Sequence, residues 1–225
     1  MHNLVIFGDS HTMIFSETNI SALFNLVSSH HVDAEDYTRS GQFMPFLMHS
    51  VGIRGEIILK SYMDKYINAN INYMMFVLGE PDVRIHFDKQ VNTLGRNVDE
   101  VIRLLVDNYV HKLIEIVPKN IKIIIRYCLP QRENSMFNIA DNAYIPRGSL
   151  QQRVAWTKQL NNALKTKCID TGLLFFENIS YNDLTKETGE LKDEYCDGLT
   201  HYNINCVGLI NYEIEHFCKQ NNILK

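Results

Sequence analysis

Three short polar stretches of the sequence carry side chains that can attack a carbonyl carbon, transfer protons or bind anions. They are residues 8–12 (GDSHT), 79–86 (GEPDVRIH) and 196–203 (CDGLTHYN). A serine hydroxyl attacks only as a base takes its proton, and a histidine with a reference pKa of about 6.5 can be that base. Each stretch alone is a weak signal, because a serine after a strand is also a common helix cap. The stronger signal is their order: a serine first, a polar cluster next, and an aspartate and a histidine near the end.

Short apolar runs precede the first two stretches and predict the strands that would position them. The strand candidates are 3–7, 73–78, 121–127 and about 168–176, with a weaker one within 32–38. The runs near 73 and 121 are apolar at successive residues, as expected of strands that are covered on both faces.

Helical patterns separate these strands. Apolar residues recur at three- and four-residue steps over 98–117, Ser149 is predicted to cap a helix to about 167, and Asn203 to cap a final helix. Strands that alternate with helices predict an α/β fold with a parallel sheet and helices on both faces. No linker or repeat divides the chain, so residues 1–225 are predicted to form one domain. The polar stretches would gather at the carboxyl ends of the strands, where ligands bind in such folds.

The order of the motifs resembles that of the SGNH/GDSL hydrolase superfamily, from Gly8 to His201. Gly8-Asp9-Ser10 matches the family block that carries the nucleophile, so the resemblance implies this role for Ser10. Gly41 stands near the place of a family glycine that helps to form the oxyanion hole. The resemblance also implies a flavodoxin-like three-layer α/β/α sandwich with a five-stranded parallel sheet, and it implies no cofactor.

The third block departs from the usual family pattern. Pro81 occupies the position of the family's oxyanion asparagine and offers neither a side-chain amide nor a backbone N–H. Divergent members resembling this chain read Gly-Glu-x-Asp-x-Arg here, which matches Glu80, Asp82 and Arg84. Arg84 is therefore the predicted replacement donor, since a guanidinium has five N–H groups and a fixed charge. The alternative is a surface ion pair between Arg84 and Glu80 or Asp82.

The fourth block implies the acid and the base. The family has two residues between them, whereas three residues separate Asp197 from His201. A loop before a helix can absorb one extra residue, so Asp197 is the predicted partner of His201, with Asp193 or Glu194 as alternatives. His201 would take the Ser10 proton and return it to the leaving alcohol, while the carboxylate holds the ring's tautomer.

Two other functions compete with a serine-dependent esterase or O-deacetylase. A hydrolase-like fold that only binds a ligand would follow if Pro81 and the lengthened fourth block spoil the catalytic geometry. A metal-dependent phosphoesterase is suggested by the D-x-H spelling of Asp9 and His11, together with Asp82, His86 and Asp88. Such sites need further ligand groups at other strand ends. The His30–His31 pair is instead predicted to lie in the first helix-to-strand connection, so no metal ligand is assigned.

Composition limits the partners. A net charge of −4 and an isoelectric point near 6.1 leave no basic footprint for nucleic acid. No apolar run approaches the roughly 20 residues of a membrane span, and no signal peptide is recognisable, so a cytoplasmic location is expected. The five scattered cysteines are predicted to be buried thiols rather than disulfides. A small-molecule or glycan ester is the expected substrate, and the sequence does not indicate an oligomeric state.

Overall fold

The structure is a computed structural model that describes residues 2–31, 48, 51–52, 70–133, 146–198 and 200–223, without the side chains of 25–31. Within these residues, strands form one sheet in the order β2-β1-β3-β4-β5, and every neighbouring pair is parallel. The strands are β1 (His2–Gly8), β2 (Phe24–His31), β3 (Tyr73–Val77), β4 (Lys122–Arg126) and β5 (Leu174–Phe176). The predicted α/β fold with a parallel sheet is confirmed.

The α-helices are α1 (Ile20–Leu23), α2 (Val98–Ile116), α3 (Leu150–Thr171), α4 (Tyr181–Leu184) and α5 (Val207–Gln220). Shorter 3-10 turns cover Ser10–Glu17, Asp193–Tyr195 and Ile204–Cys206. A further helical segment begins at Glu80 and is wound as π-helix over Asp82–His86 and Lys89–Thr93. The predicted caps are confirmed: Ser149 forms a reciprocal capping box with Gln152, and Asn203 caps the turn that leads into α5.

Helices cover both faces of the sheet because alternate strand residues point in opposite directions. On one face, Val5 and Phe76 belong to a buried cluster that includes residues of α2 and α3. On the other face, Ile6 and Met75 belong to a second cluster with residues of α5. This double coverage explains why the central strands read as continuous apolar runs.

Two predicted boundaries were wrong. Residues 168–171 continue α3, whose buried side includes Cys168, and Gly172 ends the helix with a φ of 70°. Strand β5 therefore begins only at Leu174, because helical periodicity continued past the predicted end. The second strand is Phe24–His31, so His30 and His31 lie within a strand and not in a connection before one. The weaker strand candidate within 32–38 lies outside the described residues.

The register of the sheet brings two of the polar stretches side by side. Gly8 pairs with Val77, so β1 and β3 end at the same edge, and the 8–12 and 79–86 stretches leave it together. A Cβ on Gly8 would overlap the Val77 carbonyl oxygen. Only glycine permits this close approach, which sets the position of the residues that follow it.

All five cysteines are buried free thiols, as predicted. Among the described residues, no helix has the length and apolar character to cross a membrane.

Candidate active site

Ser10 lies at the carboxyl edge of the sheet, two residues beyond the end of β1. Its preceding residue is anchored, since the Asp9 N–H donates to the Val77 carbonyl at 3.3 Å. Asp9, not Ser10, caps the 3-10 turn that follows, with its carboxylate accepting from the His11 N–H at 2.9 Å. The Ser10 hydroxyl is therefore left to interact across the site rather than with its own helix.

The partner of that hydroxyl is His201. Ser10 Oγ lies 2.6 Å from His201 Nε2, and His201 Nδ1 lies 2.7 Å from Asp197 Oδ2. When Nδ1 carries the ring proton and donates a hydrogen bond to the carboxylate, Nε2 is an acceptor that faces the hydroxyl. This is the geometry in which a histidine can withdraw a serine proton.

The loop from Asp197 to His201 accommodates the extra residue by closing on itself. Asp197 N–H donates to the His201 carbonyl at 3.0 Å, and His201 N–H donates back to Asp197 Oδ1 at 3.2 Å. The flanking residues Cys196 and Tyr202 form an antiparallel bridge. The carboxylate is thus folded back onto the ring of the residue four positions later.

The alternative acids lie in other surroundings. Asp193 pairs with Arg132 at 3.1 Å and with Lys186 at 3.2 Å. Glu194 is exposed, and its carbonyl accepts from Asn203. Asp197 is therefore the acid that the structure places on His201.

The third block forms a buried ion pair beside this site. Arg84 Nε donates to Glu80 Oε1 at 2.8 Å and to Oε2 at 3.0 Å, and both side chains are buried. The sequence alternative of a surface pair was wrong about exposure, since the pair with Glu80 is inside the protein. Asp82 is fully buried and accepts from the Met48 N–H at 2.8 Å.

The side chain of His11, from the first block, extends towards the third block. Its Nδ1 lies 2.7 Å from Asp9 Oδ1, and its Nε2 lies 3.3 Å from the Thr200 carbonyl oxygen and 3.8 Å from Glu80 Oε2. Its ring centre is 4.9 Å from that of His201. From the sequence, His11 was named only in the metal pattern, and its contact with His201 was not predicted.

Electrostatics favour the neutral, proton-accepting form of His201. Burial lowers its pKa and the nearby His11 lowers it further, while the hydrogen bond and charge of Asp197 and the charge of Glu80 oppose these effects. The net result is a pKa below the ordinary value of 6.5. A base with such a pKa is unprotonated at neutral pH.

Of the residues of the metal pattern, Asp9 and His11 contact each other, while Asp82 accepts from the Met48 N–H. Asp88 accepts from the side chain of Asn92 at 2.6 Å, and His86 belongs to the π-helical segment. No group of three or more histidine, cysteine or acidic side chains that could hold a metal occurs in the part of the chain that the structure describes.

The solved structures that this chain resembles include three bacterial proteins named as a lipase, a lipase/acylhydrolase and an acetylesterase. A GDSL-like lipase from Bacteroides thetaiotaomicron has a TM-score of 0.57 at 15% identity, with 97% of this chain and 88% of that chain covered. A lipase/acylhydrolase from Enterococcus faecalis has a TM-score of 0.52 at 16% identity, with 100% and 98% covered. A carbohydrate acetylesterase from Sinorhizobium meliloti has a TM-score of 0.56 at 12% identity, with both chains fully covered.

The chain has the SGNH/GDSL hydrolase fold. No protein-family model and no curated sequence matches it, so the likeness is one of structure and not of sequence. At these identities the likeness establishes the fold, and the roles of individual residues stay predictions.

Within the SGNH/GDSL fold, the structure brings together most of the residues that the sequence nominated. Ser10, His201 and Asp197 form a continuous relay, and Glu80 lies close to it through His11. The predicted oxyanion residue Gly41 lies outside the described residues. His11 is the site residue that the sequence prediction missed, although its position directly after the predicted nucleophile was a signal that it faces the same site.

Proposed function

We propose that this chain is a serine-dependent carboxylic ester hydrolase. The observation that carries the proposal is the unbroken contact from Ser10 Oγ through the His201 ring to Asp197. Residues from opposite ends of the chain meet in this relay with heavy-atom distances suited to proton transfer. The flavodoxin-like three-layer sandwich implied by the family resemblance would carry the relay at the carboxyl edge of its parallel sheet.

In the proposed reaction, Ser10 Oγ attacks the acyl carbonyl carbon while His201 Nε2 takes the hydroxyl proton. The same proton then passes to the leaving alcohol, which departs as the acyl–serine ester forms. In the second half, His201 takes a proton from water as the water oxygen attacks the acyl carbon. The bond from that carbon to Ser10 Oγ then breaks, the carboxylic acid leaves, and His201 returns the proton to Ser10. Asp197 keeps the proton on Nδ1 and stabilises the imidazolium that forms in each half.

The oxyanion that develops in each half needs donors. The Ser10 and Gly41 N–H groups are the proposed backbone donors, with Arg84 as the proposed replacement for the family asparagine that Pro81 removes. Each such donor is typically worth about 3–4 kcal/mol to the barrier. Because its Nε is held by Glu80, the Arg84 guanidinium would reach the oxyanion with its orientation already fixed.

The proposed substrate class is a small ester, including an O-acetyl group on a glycan. A carbohydrate acetylesterase is among the structures with this fold, alongside lipases and acylhydrolases, which supports ester chemistry without selecting one acyl group.

The test is hydrolysis of aryl esters of graded acyl length by the wild type, Ser10→Ala and a matched control. Ser16→Ala is that control, since Ser16 lies exposed in the same 3-10 turn and its hydroxyl donates only within the turn and to the neighbouring Glu17. We expect Ser10→Ala to lose at least about 10⁴-fold in kcat, His201→Ala to lose as much, and the double variant to lose little more. Ser16→Ala should retain full activity.

Two outcomes would redirect the assignment. If no ester is hydrolysed and a fluorophosphonate does not label Ser10, the chain is the ligand-binding form of the fold. If a chelator abolishes activity and added metal restores it, the phosphoesterase alternative replaces serine catalysis.

A further inference from the structure

A chain of alternating charges runs through the interior beside the proposed catalytic relay. It starts at Asp9 after β1, passes through His11 to Glu80 after β3, and ends at Arg84 one helical turn later. All four side chains are buried, with His11 only 3% exposed. Charges inside a protein lose their hydration by water, so each must be stabilised by an oppositely charged or hydrogen-bonding partner.

The hydrogen-bonding partners of His11 define its protonation state. Nδ1 faces the Asp9 carboxylate at 2.7 Å, and Nε2 faces the Thr200 carbonyl oxygen at 3.3 Å, with Glu80 at 3.8 Å. All of these partners are acceptors, and a neutral imidazole has only one N–H to offer them. Only the doubly protonated ring donates on both sides.

The charged groups around His11 agree with this geometry. Burial acts to lower its pKa, but the charge and hydrogen bond of Asp9, together with the charge of Glu80, outweigh burial and the opposing charge of Arg84. The pKa of His11 is raised above its ordinary value as a result. Among the described residues, His201, from the loop before α5, is a further titratable neighbour.

We propose that His11 is a permanent imidazolium that positions the loop carrying His201 and keeps the neighbouring His201 ring neutral. This rests on the proposed function, in which His201 is the base. The Nε2–H of His11 holds the carbonyl of Thr200, the residue directly before His201, so it fixes the backbone from which the base extends. Its charge acts across 4.9 Å between ring centres, where a second positive charge on His201 is unfavourable.

The other charged neighbours of His201 act in the opposite direction. Asp197 attracts a proton to the ring through its contact with Nδ1, and Glu80 does so from the third block. The charge of His11 opposes the effect of both carboxylates on the His201 pKa. Glu80 itself lies between two cations, His11 and Arg84. Removing the positive charge of His11 would leave burial alone to act against Asp197 and Glu80, the described charged groups that favour protonation of His201.

The first experiment reads the two rings directly in the wild-type chain. Nitrogen-15 shifts of labelled histidine, followed by NMR against pH and assigned with His201→Gln, report how many ring nitrogens carry protons. We expect His11 to keep both protons at pH 6.5 and above, and His201 to titrate below about 6.5. A singly protonated His11 at pH 6 would overturn the proposal.

The second experiment substitutes His11→Gln, whose amide can still donate to the Thr200 carbonyl but carries no charge. Unit charges about 5 Å apart shift one another's pKa by about 1–2 units at effective dielectrics between those of protein and water. The acid limb of the profile of kcat/KM against pH should therefore move up by about that amount, while the plateau above it changes little. His111→Gln, exposed on α2, is the matched control and should move neither.

An acid limb that stays in place in His11→Gln contradicts the proposal, whatever happens to the plateau, because a merely structural role would lower activity without moving the limb. If the wild type hydrolyses no ester, the proposed function fails. The NMR titration of His201 in wild type and His11→Gln then decides the present proposal alone. If His11→Gln does not fold, the wild-type spectra decide it.

Discussion

Replacing Glu213 by glutamine should change how the stability of the protein depends on pH. Glu213 lies on the buried side of α5, where Oε1 accepts from the Ser180 N–H and Oε2 from the Tyr127 hydroxyl, each at 3.1 Å. Burial raises its pKa from 4.5 to about 7, although Arg126 and these hydrogen bonds oppose the rise. The folded protein therefore holds a proton on Glu213 at a pH where the unfolded chain has released it.

The sign and size of the effect follow from linkage. A raised folded-state pKa contributes stability that is fully present below the unfolded pKa of 4.5 and is lost as the pH rises through about 7. At about 1.4 kcal/mol per pKa unit, the contribution falls by about 2.5 kcal/mol between pH 5 and pH 8. For a chain of this size the loss corresponds to about 5 °C in Tm.

The assay is urea unfolding at pH 5 and pH 8 of the wild type, Glu213→Gln and Glu215→Gln. The amide can still accept from Ser180 but does not titrate, so Glu213→Gln should lose about 2.5 kcal/mol less than the wild type over this range. Glu215 is exposed on the same helix, and its substitution should leave the wild-type dependence unchanged. Other titrating groups contribute equally to all three proteins. Equal pH dependence in wild type and Glu213→Gln would refute the reasoning.

Three further experiments test the site and its support. Asp197→Asn should lower kcat by about 10³–10⁴-fold, because the amide favours the wrong tautomer of the base, whereas Asp193→Asn should leave kcat unchanged; the reverse pattern would move the acid to Asp193. Arg84→Lys should lower kcat about a hundredfold with little change in KM, since an ammonium lacks the planar fork, and it should also lower Tm because the Glu80 pair is buried. A fall in Tm with full kcat would make Arg84 purely structural. Gly8→Ala should destabilise the fold, as a Cβ there overlaps the Val77 carbonyl and lies 2.9 Å from Thr12 Cγ2; a wild-type Tm would contradict this account.

The sequence predicted those elements whose pattern and end signals agree. Helix α2 was predicted within a residue from its apolar stripe and the Pro118 that follows it, and the structure adds Asn97 as its N-terminal cap. Strand β2 was not predicted, because Asn25 and the polar residues after Val27 interrupt the apolar pattern of its sequence, FNLVSSHH. Its strand conformation comes from pairing with β1, an element elsewhere in the sequence, and not from the local preference of its own residues.

The candidate site was predictable to the extent that short motifs name its members. Ser10 and His201 stand in such motifs, and they meet in the structure. The role of His11 was not predictable in the same way, because its partners Glu80 and Thr200 are distant in sequence. The first and third blocks come together only through the parallel register of β1 and β3. Burial of the Arg84–Glu80 pair could not be predicted either, since spacing of four residues describes surface pairs equally well.

The loop that carries His201 has little regular secondary structure, so its position must come from contacts on its two sides. On one side, His11 holds the Thr200 carbonyl. On the other side, the Tyr202 hydroxyl lies 3.2 Å from that of Tyr127, which donates to Glu213 and accepts from the buried Arg126.

These two sets of contacts flank His201 at its preceding and following residues. A cation stands at the centre of each set, one an imidazolium and the other a guanidinium. The proposed base is therefore held by its backbone neighbours, while its ring contacts Ser10 and Asp197. Such an arrangement separates the groups that position the base from those that exchange protons with it, as preorganised sites require.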